Sequence, residues 1–310
     1  EPELEQAWEG PVHEVAAPTA LHTMAFRSTL TATLFLALAS SSSAAAGLRG
    51  LVGGYNETAS GETSYYSSID TSQGGLQAQL HTLISPHTVL SYSQLWGAFA
   101  IVDESRFACS PTTINDVYST YCWTTGSSTD GGQQCGSYKK EGDCFNREHS
   151  WPKSWWGGFD AGQGAQTDLF HIFPTDGYVN GRRSNFPFGL VDTASATYTS
   201  TNGAKLGPCS AGQGFEGTCF EPADEFKGEL ARAMFYLATA YMDQFSCCDV
   251  DAVNGSRIKL WQETMLRSWH SAHPVSNLEL ERNEEIYTVY QHNRNPFIDN
   301  PTWVDLIPDF

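Results

Sequence analysis

The residues best suited to chemistry lie at positions 146–154, which read Asn-Arg-Glu-His-Ser-Trp-Pro-Lys-Ser. The carboxylate of Glu148 stands directly beside the imidazole of His149, with Arg147 before the pair and Lys153 after it. A carboxylate is a hard oxygen ligand for a divalent cation, and an imidazole titrates close to neutral pH. Together with the positive charges, these groups suit a metal-assisted attack on a phosphodiester.

A second segment, residues 168–185, carries groups that would complete such a site. Asn180 and Arg183 are three residues apart, so on a helix they share one face. The side-chain oxygen of an Asn is a neutral ligand that suits Mg²⁺. The alternative interpretation is an ordinary capping or surface Asn beside a solvated pair of arginines, Arg182 and Arg183.

Two neighbouring groups have plainer interpretations. His171 stands in an apolar run, where a buried histidine or an orienting hydrogen bond is favoured over direct catalysis. Asp168 is expected to orient a neighbour or to cap a backbone group.

Adjacent strand residues point to opposite faces, so Glu148 and His149 can serve one site only if the strand ends or twists there. The following Pro152 favours such a break.

The elements that must position these groups are predicted from apolar spacing, which indicates three amphipathic helices. Their apolar residues are Leu76, Leu80, Leu83 and Ile84; Phe226, Leu230, Met234, Leu237 and Tyr241; and Ile258, Trp261, Met265, Leu266 and Trp269. Residues 168–174 alternate as a short strand does, and Thr175 and Asp176 can cap a helix that begins after Pro174. Residues 103–143 are rich in Ser, Thr and Gly and are predicted to form a long, cross-linked surface excursion.

The chain has eight cysteines in 310 residues. No two of them show the C-x-x-C spacing of a zinc site, so disulfides in an oxidising compartment are predicted. Cys209 and Cys219 are expected to close a loop. The adjacent Cys247 and Cys248 are expected to bond to different partners.

The formal net charge of −18 is unusual for a protein that acts on polyanions. It argues against tight, processive binding of nucleic acid. A metal ion and a few arginines can still reverse the sign of the potential locally, so a catalytic groove would be basic against an acidic background.

Residues 24–46 have the layout of a secretory signal peptide. A positively charged start at Arg27 precedes an apolar run at 30–39 and an A-x-A pattern at 44–46. Residues 1–23 are then an extension that is either wrongly included in the coding sequence or disordered, and residues 47–310 are a single domain. The expected product is a secreted or periplasmic monomer without membrane association.

At its two motif segments the chain resembles the bacterial endonuclease I family, secreted or periplasmic nucleases of the His-Me finger (ββα-metal) type. The matching residues are Asn146, Arg147, Glu148, His149, Trp151, Pro152, Lys153 and Ser154, then Asp168, Leu169, His171, Pro174, Val179, Asn180, Arg183, Ser184, Asn185, Phe188 and Gly189. Stretches at 224–232, 282–286 and 291–299 are also similar. The chain departs from the family in its acidic charge, in the cysteine-rich 103–143 and at His292, where Gly is more usual.

The resemblance implies an α+β fold, predominantly helical, with a ββα-metal catalytic core made of a two-stranded ribbon and a helix. It makes His149 the general base and makes Glu148 and Asn180 ligands of Mg²⁺, with Mn²⁺ or Ca²⁺ as alternatives. Arg183 and Arg147 are then expected to brace phosphate oxygens.

The function that follows is a secreted endonuclease that hydrolyses DNA, and also RNA, through backbone contacts without sequence specificity and leaves 5′-phosphates. Two alternatives stay open. One is an RNA-preferring nuclease or phosphodiesterase, which the acidic charge favours. The other is a catalytically inactive, disulfide-bonded binding protein.

Overall fold

In the computed structural model the described residues are 64–104, 113–125, 132–158 and 164–310, and they form helices and short antiparallel strands. The helices are α1 (Leu76–Ile84), α2 (Gln94–Val102), α3 (Gly177–Arg183), α4 (Asp224–Ala240), α5 (Leu260–Ala272), α6 (Asn277–Glu285), α7 (Pro296–Asp299) and α8 (Trp303–Leu306). A π-helix, Ile286–Gln291, continues α6, and 3₁₀ turns form at Lys153–Trp155, Ala165–Thr167 and Thr193–Ser195. The strands are β1 (Ile114–Asn115), β2 (Cys122–Trp123), β3 (Phe145–His149), β4 (Ile172–Asp176), β5 (Tyr198–Thr199), β6 (Lys205–Pro208), β7 (Thr218–Glu221), β8 (Val253–Asn254) and β9 (Arg257–Ile258).

Helix accounts for 39% and strand for 15% of the described residues, so the predicted α+β class is confirmed. Helix is the commoner element, and the expectation of a predominantly helical fold stays a prediction. The described strands form small antiparallel sheets with the orders β1-β2, β3-β4, β5-β6-β7 and β8-β9. Sheets this small cannot enclose a core, so the helices must supply most of it.

The core is centred on α4, which contacts both α1 and α5. All five apolar residues predicted for this helical stripe are buried, although Tyr241 lies one residue beyond the helix end. Asp224 and Glu225 occupy the first turn, where negative charge interacts favourably with the helix dipole. The helices predicted around Leu80 and Leu266 are confirmed as α1 and α5, with Ile258 placed in β9 before the helix.

The predicted surface excursion is wrong for Ile114, for residues 116–119 and for Trp123, which are packed into the protein, whereas Thr120 and Tyr121 are exposed as predicted. Asp116, Tyr118 and Trp123 are buried there. Asp116 accepts six hydrogen bonds, and their donors are the backbone N–H groups of Tyr118, Ser119 and Asp176, the hydroxyls of Ser119 and Thr175, and the indole N–H of Trp123. Burial nevertheless raises the pKa of Asp116 to about 6. The polar groups around Asp116 can therefore be buried because this carboxylate accepts their hydrogen bonds.

The disulfides agree with the sequence in part. Cys135–Cys144 and Cys209–Cys219 are bonded, and the second closes the predicted loop. The expectation that Cys247 and Cys248 bond to different partners is wrong, since they are bonded to each other. Their Cα atoms are 3.7 Å apart, and Cys248 takes a left-handed backbone conformation with φ 85°. Local backbone conformation decides this pairing, and cysteine spacing does not reveal it.

The predicted extension and signal peptide, residues 1–46, lie outside the described residues. The described residues all belong to one compact unit of the fold. No helix within the described ranges is both long and apolar enough to cross a membrane.

Candidate active site

The site is built on the ribbon of β3 and β4, which runs antiparallel with Glu148 opposite Phe173 and His149 opposite Ile172. His149 is the last residue of β3, and the N–H of Ser150 donates to the carbonyl of His171 (3.0 Å). The strand therefore ends at the Glu-His pair, as the sequence predicts.

Helix α3 follows β4 directly and packs against both strands. It begins where predicted, because the carboxylate of Asp176 accepts from the N–H groups of Tyr178 (2.8 Å) and Val179 (3.0 Å). Asn180, half-buried on this helix, donates from Nδ2 to Oδ1 of Asn146 on β3 (2.6 Å). Its amide nitrogen is thus used for positioning, and its Oδ1 is not needed for that contact.

Glu148 is a buried carboxylate, only 2% exposed. Its Oε1 accepts from the hydroxyl of Tyr118 (2.8 Å) and from Nη1 of Arg183 (2.8 Å). Its Oε2 accepts no hydrogen bond from the described residues. Burial raises the pKa of Glu148, and the Arg183 charge and the Tyr118 hydrogen bond oppose that rise.

Arg183 is 1% exposed and ties the end of β3 to α3. Besides Glu148, its Nη1 donates to the carbonyl of His149 (2.9 Å) and its Nη2 to that of Ser150 (2.7 Å). The guanidinium also lies 4.6 Å from the ring centre of Phe188. These contacts give Arg183 a direct role in holding the Glu-His pair, and its predicted contact with a phosphate stays a prediction.

Arg147 contacts aromatic residues in and before α2. Its guanidinium carbon lies 3.4 Å from the ring centre of Tyr92 and 4.1 Å from that of Trp96, and Nη1 donates to the carbonyl of Tyr92 (2.9 Å). The same Tyr92 ring stacks on His149 at 6.2 Å. Arg147 therefore braces an aromatic neighbour of the base, and its role toward phosphate also stays a prediction.

His149 is 6% exposed and is oriented by a backbone carbonyl. Its Nε2 donates to the carbonyl oxygen of Gln166 (3.1 Å), which the 3₁₀ turn Ala165–Thr167 presents. Burial, followed by the nearby His171 and Lys153, lowers the pKa of His149 well below its usual value. A neutral imidazole that donates through Nε2 carries its lone pair on Nδ1, where it can accept a proton.

The plainer interpretations of His171 and Asp168 are confirmed. His171 is fully buried, donates from Nε2 to the carbonyl of Ala165 (2.6 Å), and lies edge-on to His149 at 5.5 Å. Burial lowers the pKa of His171 to about 4. The carboxylate of Asp168 accepts from the hydroxyls of Tyr236 and Tyr241 and from the N–H of Phe170.

Sequence reasoning missed three parts of the site: the Tyr118 hydroxyl, the Gln166 carbonyl and the Asp116 carboxylate. The Asp-x-x-Ser pattern at 116–119 is typical of a turn in which the carboxylate accepts from following N–H groups, so it could have drawn attention to Asp116. A backbone carbonyl has no sequence signature. Tyr118 is separated from Glu148 by thirty residues of chain.

The donor atoms near the ribbon fit a hard divalent cation. Oε2 of Glu148 and Oδ1 of Asn180 are oxygen donors, one charged and one neutral. Within the described ranges, no group of three or more His, Cys, Asp or Glu side chains is placed to hold a metal ion. A site with a single carboxylate relies on waters for the rest of its coordination, which is the arrangement that Mg²⁺ favours.

In comparisons with known proteins, the chain is similar to nucleases. Residues 72–302 match the family model described as Endonuclease I. The chain is 36% identical over 250 residues to an extracellular ribonuclease of Bacillus amyloliquefaciens, with 79% of this chain and 78% of the relative covered. It is 35% identical over 249 residues to an extracellular ribonuclease of Bacillus subtilis, with the same coverage. An extracellular deoxyribonuclease of Aeromonas hydrophila is 28% identical over 179 residues, which cover 57% of each chain.

Proposed function

This chain belongs to the endonuclease I family, and on that premise we propose that it is a secreted, metal-dependent endonuclease that hydrolyses the phosphodiester backbone of nucleic acids. The observation that carries the proposal is the environment of Glu148. A buried carboxylate with one oxygen held by two donors and the other without a donor among the described residues stands next to a neutral, carbonyl-oriented histidine.

His149 acts as the general base. Its Nε2 donor fixes the ring against Gln166, and Nδ1 takes a proton from the attacking water. Because the pKa of His149 is lowered, the imidazole is neutral and ready to accept that proton at neutral pH. The buried position of the ring keeps it in this orientation between turnovers.

Glu148 and Asn180 would hold the cation, proposed to be Mg²⁺, with Mn²⁺ and Ca²⁺ as alternatives. A cation bound there would neutralise charge on the phosphorane and the leaving oxygen. The ribbon β3-β4 with α3 is then a ββα-metal core. Arg183 holds Glu148 and the end of β3 in place. Because the 3′-oxygen is the leaving group, the products carry 5′-phosphates.

The proposed substrates are both DNA and RNA, recognised through the backbone and therefore without sequence specificity. A preference for RNA is a second candidate, because the two Bacillus relatives that align over most of the chain are named ribonucleases. The net charge of −18 also favours the substrate that demands less tight duplex binding. Initial rates on duplex DNA, single-stranded DNA and RNA at one salt concentration distinguish the two.

Plasmid nicking tests the central assignment. Replacing His149 with Ala should lower the rate roughly 10²- to 10⁴-fold, the usual contribution of a general base. His292→Gly is the control, because His292 is exposed and has a positive φ of 61° that suits Gly. Near-wild-type cleavage by His149→Ala would exclude His149 as the base.

Chelation tests the metal. EDTA should abolish cleavage, and added Mg²⁺ should restore it. Wild-type activity that persists in EDTA would exclude the metal-dependent mechanism, and a wild type inactive on every substrate with each of the three cations would favour a binding protein instead.

A further inference from the structure

The hydroxyl of Tyr118 has no part in the proposed reaction as described so far, yet it donates to the carboxylate at the centre of the site. We propose that Tyr118 is a positioning residue for metal binding: together with Arg183 it fixes the carboxylate of Glu148 so that Oε2 is presented to the cation. This inference rests on the proposed metal-dependent activity and adds a residue to it.

Two donors restrain the carboxylate more firmly than one does. Nη1 of Arg183 is shared between Oε1 of Glu148 and the carbonyl of His149, so its hydrogen bond alone opposes rotation of the carboxylate about the Cγ–Cδ bond only weakly. The Tyr118 hydroxyl reaches the same Oε1 from a different segment of chain. With both donors on Oε1, the plane of the carboxylate is set and Oε2 is left for another ligand.

The chemical nature of the second donor also matters. A phenol carries no charge, so it orients Glu148 without cancelling the negative charge that attracts a cation. A second arginine in that position would orient the carboxylate equally well but would repel the metal. Tyr118 therefore orients the carboxylate of Glu148 without weakening its attraction for a cation.

Tyr118 is itself held firmly. The residue is fully buried, and its ring packs at 4.6 Å from that of Phe220. Oδ1 of Asp116 accepts the Tyr118 N–H (2.7 Å), and Oδ2 accepts the N–H of Asp176, the residue that caps α3 (2.7 Å). One carboxylate thus fixes both the donor to Glu148 and the start of the helix that carries Asn180.

The experiment compares Tyr118→Phe with a matched control, Tyr66→Phe. Tyr66 is also buried and donates to a buried carboxylate, Asp299, which is paired with an arginine as Glu148 is. Mn²⁺ binding is measured by calorimetry without nucleic acid, and the Mn²⁺ spectrum by electron paramagnetic resonance. Cleavage is then followed as a function of Mn²⁺ concentration.

Tyr118→Phe should raise the Kd for Mn²⁺ about 10-fold, within the range for loss of a partner behind a metal ligand. Cleavage at saturating Mn²⁺ should recover most of the wild-type rate, and Tyr66→Phe should bind Mn²⁺ as the wild type does. An unchanged Kd in Tyr118→Phe would overturn the inference and leave the proposed function intact. A wild type that binds no Mn²⁺ and cleaves in EDTA would overturn the proposed function, and this inference with it.

Phe220→Leu provides a second test if Tyr118→Phe does not fold. It keeps the hydroxyl but removes the ring against which Tyr118 packs, so it should weaken Mn²⁺ binding in the same direction by a smaller factor. Unchanged binding in that variant would overturn the inference.

Discussion

Two buried carboxylates in this protein, Glu148 and Asp299, have the same kinds of partner but differ in how the hydrogen bonds are distributed over their two oxygens. Each accepts from a Tyr hydroxyl and from an Arg guanidinium, and each is almost inaccessible to solvent. At Glu148 both hydrogen bonds go to one oxygen. At Asp299 four donors are spread over both oxygens.

The arrangement around Asp299 is complete. Oδ2 accepts from the hydroxyl of Tyr66 (2.7 Å) and from Nε of Arg294 (2.7 Å). Oδ1 accepts from Nη2 of Arg294 (2.9 Å) and from Nδ2 of Asn283 (2.8 Å). A carboxylate satisfied in this way joins α6 to α7 and has no oxygen to offer a ligand.

The difference separates a structural ion pair from a functional one by the distribution of donors rather than by burial or residue type. Burying a charge is costly unless its hydrogen bonds are made, so an incompletely bonded buried carboxylate indicates a role beyond stability. Glu148 meets that description, and Asp299 does not.

The largest effects are expected from two matched amide variants, Glu148→Gln and Asp299→Asn, of which the first should lose activity and the second stability. Glu148→Gln should reduce cleavage more than about 100-fold, beyond the usual loss from an outer partner, because the charged ligand is gone. Asp299→Asn should leave kcat/KM within about twofold but cost roughly 3 kcal/mol of unfolding free energy, since it breaks a buried pair. Cleavage assays and urea denaturation measure both, and equal activity losses in the two variants would remove the distinction.

Two asparagines extend the comparison from charges to amides. Asn180→Ala should lower activity about 10- to 100-fold and raise the metal concentration needed for half-maximal cleavage. Asn283→Ala, which removes a buried donor to Asp299, should mainly destabilise the fold. The test is a metal titration of both variants: if Asn283→Ala shifts it as much as Asn180→Ala does, Asn180 is not a ligand.

Two disulfides of nearly equal loop length offer a smaller, well-matched contrast. Cys135–Cys144 and Cys209–Cys219 span 9 and 10 residues, so removal of either should cost roughly 3 kcal/mol by loop entropy. Cys135 packs against Gly177, the first residue of α3, and Cys144 directly precedes β3.

Double Ser variants at the first pair should therefore lose activity several-fold more than those at the second, at a temperature where both are folded. Melting curves and cleavage rates measured on the same preparations check this expectation. Equal activity losses would show that the disulfide does not support the site.

The smallest effect expected is that of mild acid. Because the pKa of His149 is lowered well below its usual value of 6.5, the base is still neutral when the pH falls from 7.5 to 6.5. Over that interval kcat/KM should change by less than about twofold, and it should fall only as the pH reaches the lowered pKa. A pH–rate profile with its acid midpoint at 6.5 or above would show that the imidazole is not desolvated as described.

The parts of the fold that the sequence predicts are those set by local patterns. The stripe from Phe226 to Leu237 predicts α4, and Asp176 predicts the start of α3. The motif predicts a strand that ends at His149, which β3 does. Burial of Asp116, Tyr118 and Trp123 and the bond between Cys247 and Cys248 were not predicted, because each depends on donors or backbone angles that composition does not encode.

The sequence by itself determined which chemical groups this protein carries near the ribbon. They are a carboxylate, an imidazole and an amide, at spacings similar to those of one nuclease family. Tertiary structure decided how those groups are used. Only folding brings Tyr118 and Arg183 to the same oxygen of Glu148 and the Gln166 carbonyl to His149. The physical reason is that a hydrogen bond depends on distance and direction between atoms far apart in the chain, and residue order does not specify either.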